Sequence, residues 1–246
     1  MHLQEQENEG HDEREDGLRE RLVRAGVELV NAEGAQALSL REIARRAGVS
    51  HGAPRRYFPT HLDLLSAIAR QGFAELADRL AEEDREDAGP RERIAILARV
   101  YLAYAETRRG MYELMFRHDL LESGRLGLRE TSLPLFAHLT ALVARATEPG
   151  PGPNPTGDAA ARAGAASPGD TALRADVASP GDTAPSSGMA SPGDAALRAG
   201  ALWANLHGIA QLWHWGSLRL ATGGTDPAPL LAAALDAHLG PVAAAP

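Results

Sequence analysis

Apolar residues recur three and four positions apart along most of this chain, and no stretch alternates apolar and polar residues with the period of a half-buried strand. That periodicity confines the fold to packed amphipathic helices, so the expected class is all-α. The first helix is expected from about Glu15 to Glu33, with Leu18, Leu22, Ala25 and Leu29 on one stripe and Gly34 as a left-handed cap. Ser39 opens the second, where Ser39 and Glu42 have the spacing of a capping box and Leu40, Ile43, Ala44 and Ala47 form the buried face. Gly48 ends it, Val49 plugs the turn, and Ser50 caps a short third helix reaching Phe58. Two short helices joined by a tight glycine-containing turn make a helix-turn-helix.

Thr60 and Asp63 cap a long fourth helix carrying Leu62, Leu65, Ala69, Leu76 and Leu80, and the run from Asp84 to Pro90 breaks it. Pro90 opens a fifth, with Ile94, Leu97, Ala98, Tyr101 and Ala105 at helical period. A sixth covers Met111 to His118. The seventh, Leu126 to Thr147, is expected to bend near Pro134, where a backbone donor is missing. The eighth, about Ala195 to Ala221, is apolar on two faces: Leu202, Leu206, Ile209, Trp213 and Leu220 on one, Trp203, His207, Ala210 and His214 on another. That pattern suits a helix packed against two partners. Asp226 and Pro227 cap a last helix ending at Gly240.

Between the seventh and eighth helices the composition changes abruptly. Residues 148–194 are mostly Pro, Gly, Ala, Ser and Asp, and S-P-G-D recurs every 12 residues, from Ser167, Ser179 and Ser191, after a degraded copy at Gly157-Asp158. Each copy can form a type II turn, but none carries the apolar face that a solenoid repeat needs. The segment is expected to be a disordered insertion. Residues 1–13, acidic and without the apolar stretch of a signal peptide, are expected as a disordered tail, and 241–246 as another. There is no cysteine for a disulfide or thiolate metal site, and no run of eighteen apolar residues for a membrane span. A cytoplasmic location, away from membranes, fits these features.

All 25 Lys+Arg residues are arginine, which reads as a genomic bias toward G and C. The formal net charge of −8 excludes a protein that coats nucleic acid over its whole surface. From Ser39 to His61 the sign reverses: Arg41, Arg45, Arg46, Arg55 and Arg56 stand against Glu42 alone. Such a local basic stretch is the electrostatic footprint of a nucleic-acid contact.

The stretch LSLREIARRAGVSHGAPRRYFPTHLDLL, Leu38 to Leu65, resembles the TetR family of regulators: a capped helix, an A-G-V-S turn, small residues opening the next helix, then an aromatic-Phe-Pro exit. The resemblance is specific over Arg14 to Gly72. Met111 to Phe116 resembles the family's sixth-helix segment, and Trp203 to Gly208 has the W-x-x-x-H-G pattern of one group of TetR C-terminal domains. The chain departs from the family at Pro54 and Arg55, where an aliphatic residue and tyrosine are usual, and at His61, where lysine is usual.

The resemblance implies a DNA-binding domain over 14–72 and a ligand-binding and dimerisation domain over 73–240. It implies a homodimeric repressor that binds a palindromic operator in double-stranded DNA and is released by a small-molecule effector. The last two helices would form a four-helix interface with their symmetry mates. Phosphate contacts position such a protein and base-edge contacts specify its sequence. Ser39, at a helix start, and Arg41, Arg56, Tyr57 and His61 are candidate phosphate ligands. Ser50, His51, Gly52, Ala53 and Arg55 are candidates for the major groove, where arginine to guanine is the commonest specific pair.

Met111, Tyr112, Met115, Phe116, Trp203 and His207 could line a ligand pocket or be plain core. His207 and His214 are separated by seven residues, roughly 10 Å along a helix, too far to share one metal ion. No cofactor is implied, and no nucleophile elbow, phosphate-cradling glycine loop or H-E-x-x-H motif points to an enzyme. The alternative reading is a helical ligand-binding or scaffold protein whose helix-turn-helix has degenerated, supported by Pro54 and His61.

Overall fold

The computed structural model describes residues 2–117, 127–148 and 192–241, and among these there are helices and turns but no strand. Helix α1 (His2–Glu33) begins well before Glu15, through the stretch expected as a tail. The physical reason is local: residues 2–14 are rich in Glu and Gln, good helix formers, and contain no proline, so the helix propagates backward despite Gly10. Gly34 ends it with φ 84 and ψ 171, an extended conformation open essentially to glycine, in place of the left-handed helical cap expected. A 3₁₀ turn, Ala35–Ala37, leads into α2 (Leu40–Arg46).

Helix α2 closes on a Schellman motif. Gly48, at φ 68, donates to the Arg45 carbonyl, and Val49 donates to Ala44. The Arg21 guanidinium of α1 donates to the Ala47 carbonyl at 2.8 Å, tying the turn to the first helix. Next come α3 (Pro54–Tyr57) and α4 (His61–Glu83). The head's core is Leu22, Leu29, Ile43, Phe58, Leu64, Leu65 and Ile68, all buried, each contributing roughly 1.5–3 kcal/mol of burial free energy. The buried face of α4 is wider than the expected stripe: Leu65, Ala69 and Leu76 are buried as expected, Leu64, Ile68 and Phe73 join them, and Leu62 is exposed.

Helix α4 continues out of the head into the C-terminal bundle, formed with α5 (Pro90–Thr107), α6 (Arg109–Met115), α7 (Leu128–Thr147), α8 (Pro192–His214), α9 (Ser217–Thr222) and α10 (Ala228–Leu239). α6 stops at Met115, and His118 lies outside the described residues. Pro134 sits inside α7, which is continuous through it. The single helix expected to reach Ala221 is two, because Gly216 takes a left-handed φ of 80 and restarts the chain as α9. Asp226 accepts from the Ala228 N–H at 2.9 Å at the start of α10, and Arg91 of α5 reaches both Asp236 and the Gly240 carbonyl at its end. The 12-residue repeat lies outside the described residues except for the end of its last copy: Pro192, Gly193 and Asp194, expected within the disordered insertion, form the first turn of α8, with Pro192 at a position where its missing N–H costs nothing.

Candidate DNA-binding head and ligand cavity

The head is built around two helix starts. Ser39 is the N-cap of α2, and its hydroxyl accepts from the Glu42 N–H at 3.2 Å. Glu42 does not complete the expected capping box. Its carboxylate accepts instead from Arg45 at 2.8 and 2.5 Å and from Arg46 at 3.0 Å, and those guanidinium bonds hold its pKa down to about 2. Arg46 also pairs with Glu33. Arg45 and Arg46 are thus tied to carboxylates of the head itself. Arg41, Arg55 and Arg56 all remain exposed.

Helix α3 is a single turn, and Pro54 is the reason. Proline lacks an N–H and fixes φ, so it is tolerated at the first helical position and not inside. The preceding residues form 3₁₀-like turns, with Ala53 N–H on Ser50 O at 3.0 Å, Arg55 on Gly52 at 3.3 Å and Arg56 on Ala53 at 3.2 Å. Ala53 therefore holds the N-cap position, without a side-chain bond, in place of the expected Ser50. Pro54 is buried, and the next two side chains, Arg55 and Arg56, are exposed. Ser50, His51 and Gly52 are exposed and Ala53 and Tyr57 half-buried on the same short segment. Phe58 anchors its end beneath Arg19, whose guanidinium lies 5.5 Å from the ring centroid. His61 is exposed at the start of α4, where Thr60 and Asp63 form both halves of a capping box at 2.8 and 3.1 Å.

In the C-terminal bundle a cavity of about 450 Å³, open to solvent on one side, lies between α4, α5, α7 and α8. Its walls include Phe73, Leu76 and Leu80 of α4, Ile94, Leu97 and Tyr101 of α5, Leu135, Phe136 and Leu139 of α7, and Leu206 of α8. Of the candidate pocket residues, Phe116 and Trp203 line it, their ring centroids 6.0 Å apart. Met111, Tyr112 and Met115 are buried away from its surface, and both methionines crowd Gly72 of α4. His207 also stands back: its Nδ1 lies 3.0 Å from the Tyr101 hydroxyl and 2.7 Å from that of Tyr112, and those hydroxyls are 3.0 Å apart. Burial pushes both tyrosines well above the ordinary range and lowers His207, so all three are neutral near pH 7.

One end of the cavity is polar. Arg93 donates in bidentate fashion to Asp84, at 2.8 and 2.6 Å, and His138 Nε2 lies 3.2 Å from the same carboxylate. The Arg93 hydrogen bonds lead in holding the Asp84 carboxyl below its usual range. Asp84 and His138 both line the cavity, and the sequence reading overlooked them. The signal was present in the α4 stripe, since Phe73, Leu76, Leu80 and Asp84 follow one another at spacings of three and four. A second cavity, about 470 Å³, lies between α5, α8 and α10 and includes His214, so the two histidines considered as metal ligands belong to different places. Among the described residues no helix is long and apolar enough to cross a membrane.

Comparison with known proteins gives a consistent result. Residues 22–68 match the model for bacterial regulatory proteins of the tetR family, and residues 94–238 match that for the tetracyclin repressor-like C-terminal domain. The HTH-type transcriptional regulator BetI of Rhizobium meliloti (strain 1021) is 37% identical over 82 residues, 33% of this chain and 40% of that protein. Nucleoid occlusion factor SlmA of Aliivibrio fischeri (strain MJ11) is 26% identical over 121 residues, 47% of this chain and 60% of that one. The chain thus spans 40% to 60% of the length of these curated relatives. A Rhodococcus sp. RHA1 protein of unknown function superposes with a TM-score of 0.61 at 25% identity, covering 90% of this chain and 93% of that one. The fatty acid degradation regulator FadR of Bacillus halodurans shares the fold at a TM-score of 0.55 and 15% identity, over 91% and 95% of the two chains. The N-terminal match falls on the helix-turn-helix and the C-terminal match covers the bundle that holds the cavity, so the chain belongs to the TetR family of bacterial regulatory proteins.

Proposed function

We propose that this protein is a DNA-binding transcriptional regulator that acts as a homodimeric repressor of a palindromic operator and leaves it when a small, largely apolar effector occupies the C-terminal cavity. The observation that carries the reading is the head: Pro54 seats α3 while Arg55 and Arg56 stand exposed beside it, close in sequence to the capped start of α4. Arg55, with Ser50, His51, Gly52 and Ala53, would face base edges; Ser39, Arg41, Arg56, Tyr57 and His61 would contact phosphates. The head over 14–72 and the bundle over 73–240 are the working domains. Dimerisation is supported by Trp215 and Leu220, which are 66% and 89% exposed in the single chain on the C-terminal elements. An effector can drive release only by binding the DNA-incompetent state more tightly, and by linkage operator DNA must weaken effector binding by the same factor.

The test is a salt titration of binding to palindromic duplexes selected from random sequence. Affinity should fall steeply as salt rises, and Arg55→Ala with Arg56→Ala should weaken it, Arg55 by ~1–3 kcal/mol if its contact is a bidentate one to guanine. The single-turn α3 favours a second reading, a ligand-binding or scaffold protein with a degenerate head. Equal binding by wild type and double mutant at every salt concentration would select that reading.

A further inference from the structure

Helix α1 is longer than the head requires. Its packing against the hydrophobic core begins at Leu18, and at Gly17 a Cβ would meet nothing within 4 Å. Residues 2–16 nevertheless continue the helix, and at a rise of 1.5 Å per residue they reach about 22 Å past the head.

The direction of that extension follows from three contacts. Arg19 of α1 lies over Phe58, just before α4; Gly26 lies against the Ile68 side chain of α4; Val30 meets Gly110 of α6 in the bundle. α1 and α4 therefore run in the same sense, from the end of the head that carries α3 toward the bundle. Traced backward, α1 leaves the head at the α3 end. Arg55, Arg56 and His61 are exposed at that same end.

The extension has the wrong charge for a neighbour of DNA. Residues 2–16 hold seven carboxylates against Arg14 alone, a formal −6 within a chain of −8. Asp12, Glu13, Glu15 and Asp16 fall within about 8 Å of Gly17 along the helix axis, less than the Debye length of about 10 Å at 0.1 M salt. A duplex brings one negative charge per about 1.7 Å of its axis to the same place.

From this placement we propose that the N-terminal extension of α1 is an electrostatic brake on DNA binding: its carboxylates oppose the phosphates of any duplex that docks on α3. The head then holds only those sequences whose base-edge contacts offset the repulsion. This rests on the reading of the head as the DNA-binding surface. Such repulsion senses backbone charge and not base edges, so it weakens operator and random duplex by the same factor. Salt screens it, so it fades as ionic strength rises.

The experiment compares the full chain with a neutralised variant carrying Asp12→Asn, Glu13→Gln, Glu15→Gln and Asp16→Asn together. These changes nearly preserve side-chain size and precede the first core contact at Leu18. A second variant lacking residues 2–13 serves the same purpose if the first does not fold. Binding to a selected palindromic operator and to a random duplex of equal length is read by fluorescence anisotropy across a salt series. At about 50 mM salt the neutralised variant should bind both duplexes about fivefold or more tightly than wild type, converging to within about twofold near 500 mM. Its affinity should accordingly fall more steeply with salt than that of wild type. Equal affinities at low salt, a gain confined to the operator, or a gain that persists undiminished at high salt would overturn the proposal. Wild-type binding that neutralisation does not strengthen would sink the brake alone; failure of every variant to bind either duplex would sink the regulator reading and the brake with it.

Discussion

Helix α6 touches the first helix of the head at one unusually tight point, and Gly110→Ala tests whether that contact holds the two regions in register. A Cβ at Gly110 would lie 2.9 Å from the Gly34 Cα and closer still to the Val30 carbonyl oxygen, whereas ordinary contact begins near 3.4 Å. Both neighbours are backbone, so no rotamer can relieve the overlap; α6 must move away from α1 by at least about half an ångström. Gly110 is not among the positive-φ glycines, so alanine meets no backbone objection, and any loss reports the contact. Overpacking of this kind costs ~1–3 kcal/mol, offset by up to ~1 kcal/mol of helix propensity, for a net loss of about 1–2 kcal/mol. For a chain of this size that lowers the thermal midpoint by roughly 2–8 °C. Urea and thermal melts are the assay, with Gly17→Ala as control, because Gly17 lies inside α1 and a Cβ there meets nothing within 4 Å. Gly110→Ala should also alter operator affinity, since it shifts the bundle against α1. A variant as stable as the control, with unchanged operator binding, would refute the reasoning.

Other outcomes follow from named groups. Thr60→Ala removes the hydroxyl that accepts from Asp63 N–H and should cost ~1 kcal/mol, while Thr60→Ser retains most of it; chemical denaturation distinguishes them. His207 has its pKa lowered by burial, so the unfolded chain binds its proton more readily, and the neutral ring's stabilising contribution is lost as pH falls through and below the ordinary value of 6.5. The thermal midpoint should drop between pH 7 and 5.5, and His207→Gln should flatten that slope; an unchanged slope would show that the titrating group is elsewhere.

The sequence made helix starts more legible than helix interiors' surroundings. Thr60 with Asp63 and Asp226 with Pro227 each open a helix where local chemistry places one, because a cap is satisfied within four residues, and Pro90 opens another because its missing N–H costs nothing in the first turn. Glu42 shows the limit of such reasoning. Its spacing from Ser39 fits a capping box, but two arginines one turn ahead compete for the carboxylate and win. Ser50 has the chemistry of a cap, but Pro54 four residues on sets where α3 can start, and the shift of the cap to Ala53 needed the backbone itself. The cavity was half legible. Aromatic residues at Phe116 and Trp203 pointed to it, but an apolar stripe looks the same whether it faces a neighbour or a void. Asp84 was read as part of a helix break because its partners, Arg93 and His138, come from other helices.

The Tyr101–Tyr112–His207 triangle constrains how this bundle can change over evolutionary time. Its three edges join three atoms that hold two hydroxyl protons, so the chain of donors can run Tyr101 to Tyr112 to His207, and each member depends on the other two. Losing one tyrosine hydroxyl shortens that chain, and losing the imidazole leaves the last hydroxyl proton buried without an acceptor. Replacing all three by apolar residues of similar shape strands nothing. Single steps are therefore uphill and the triple exchange nearly level, which makes the three positions, drawn from α5, α6 and α8, drift together or not at all.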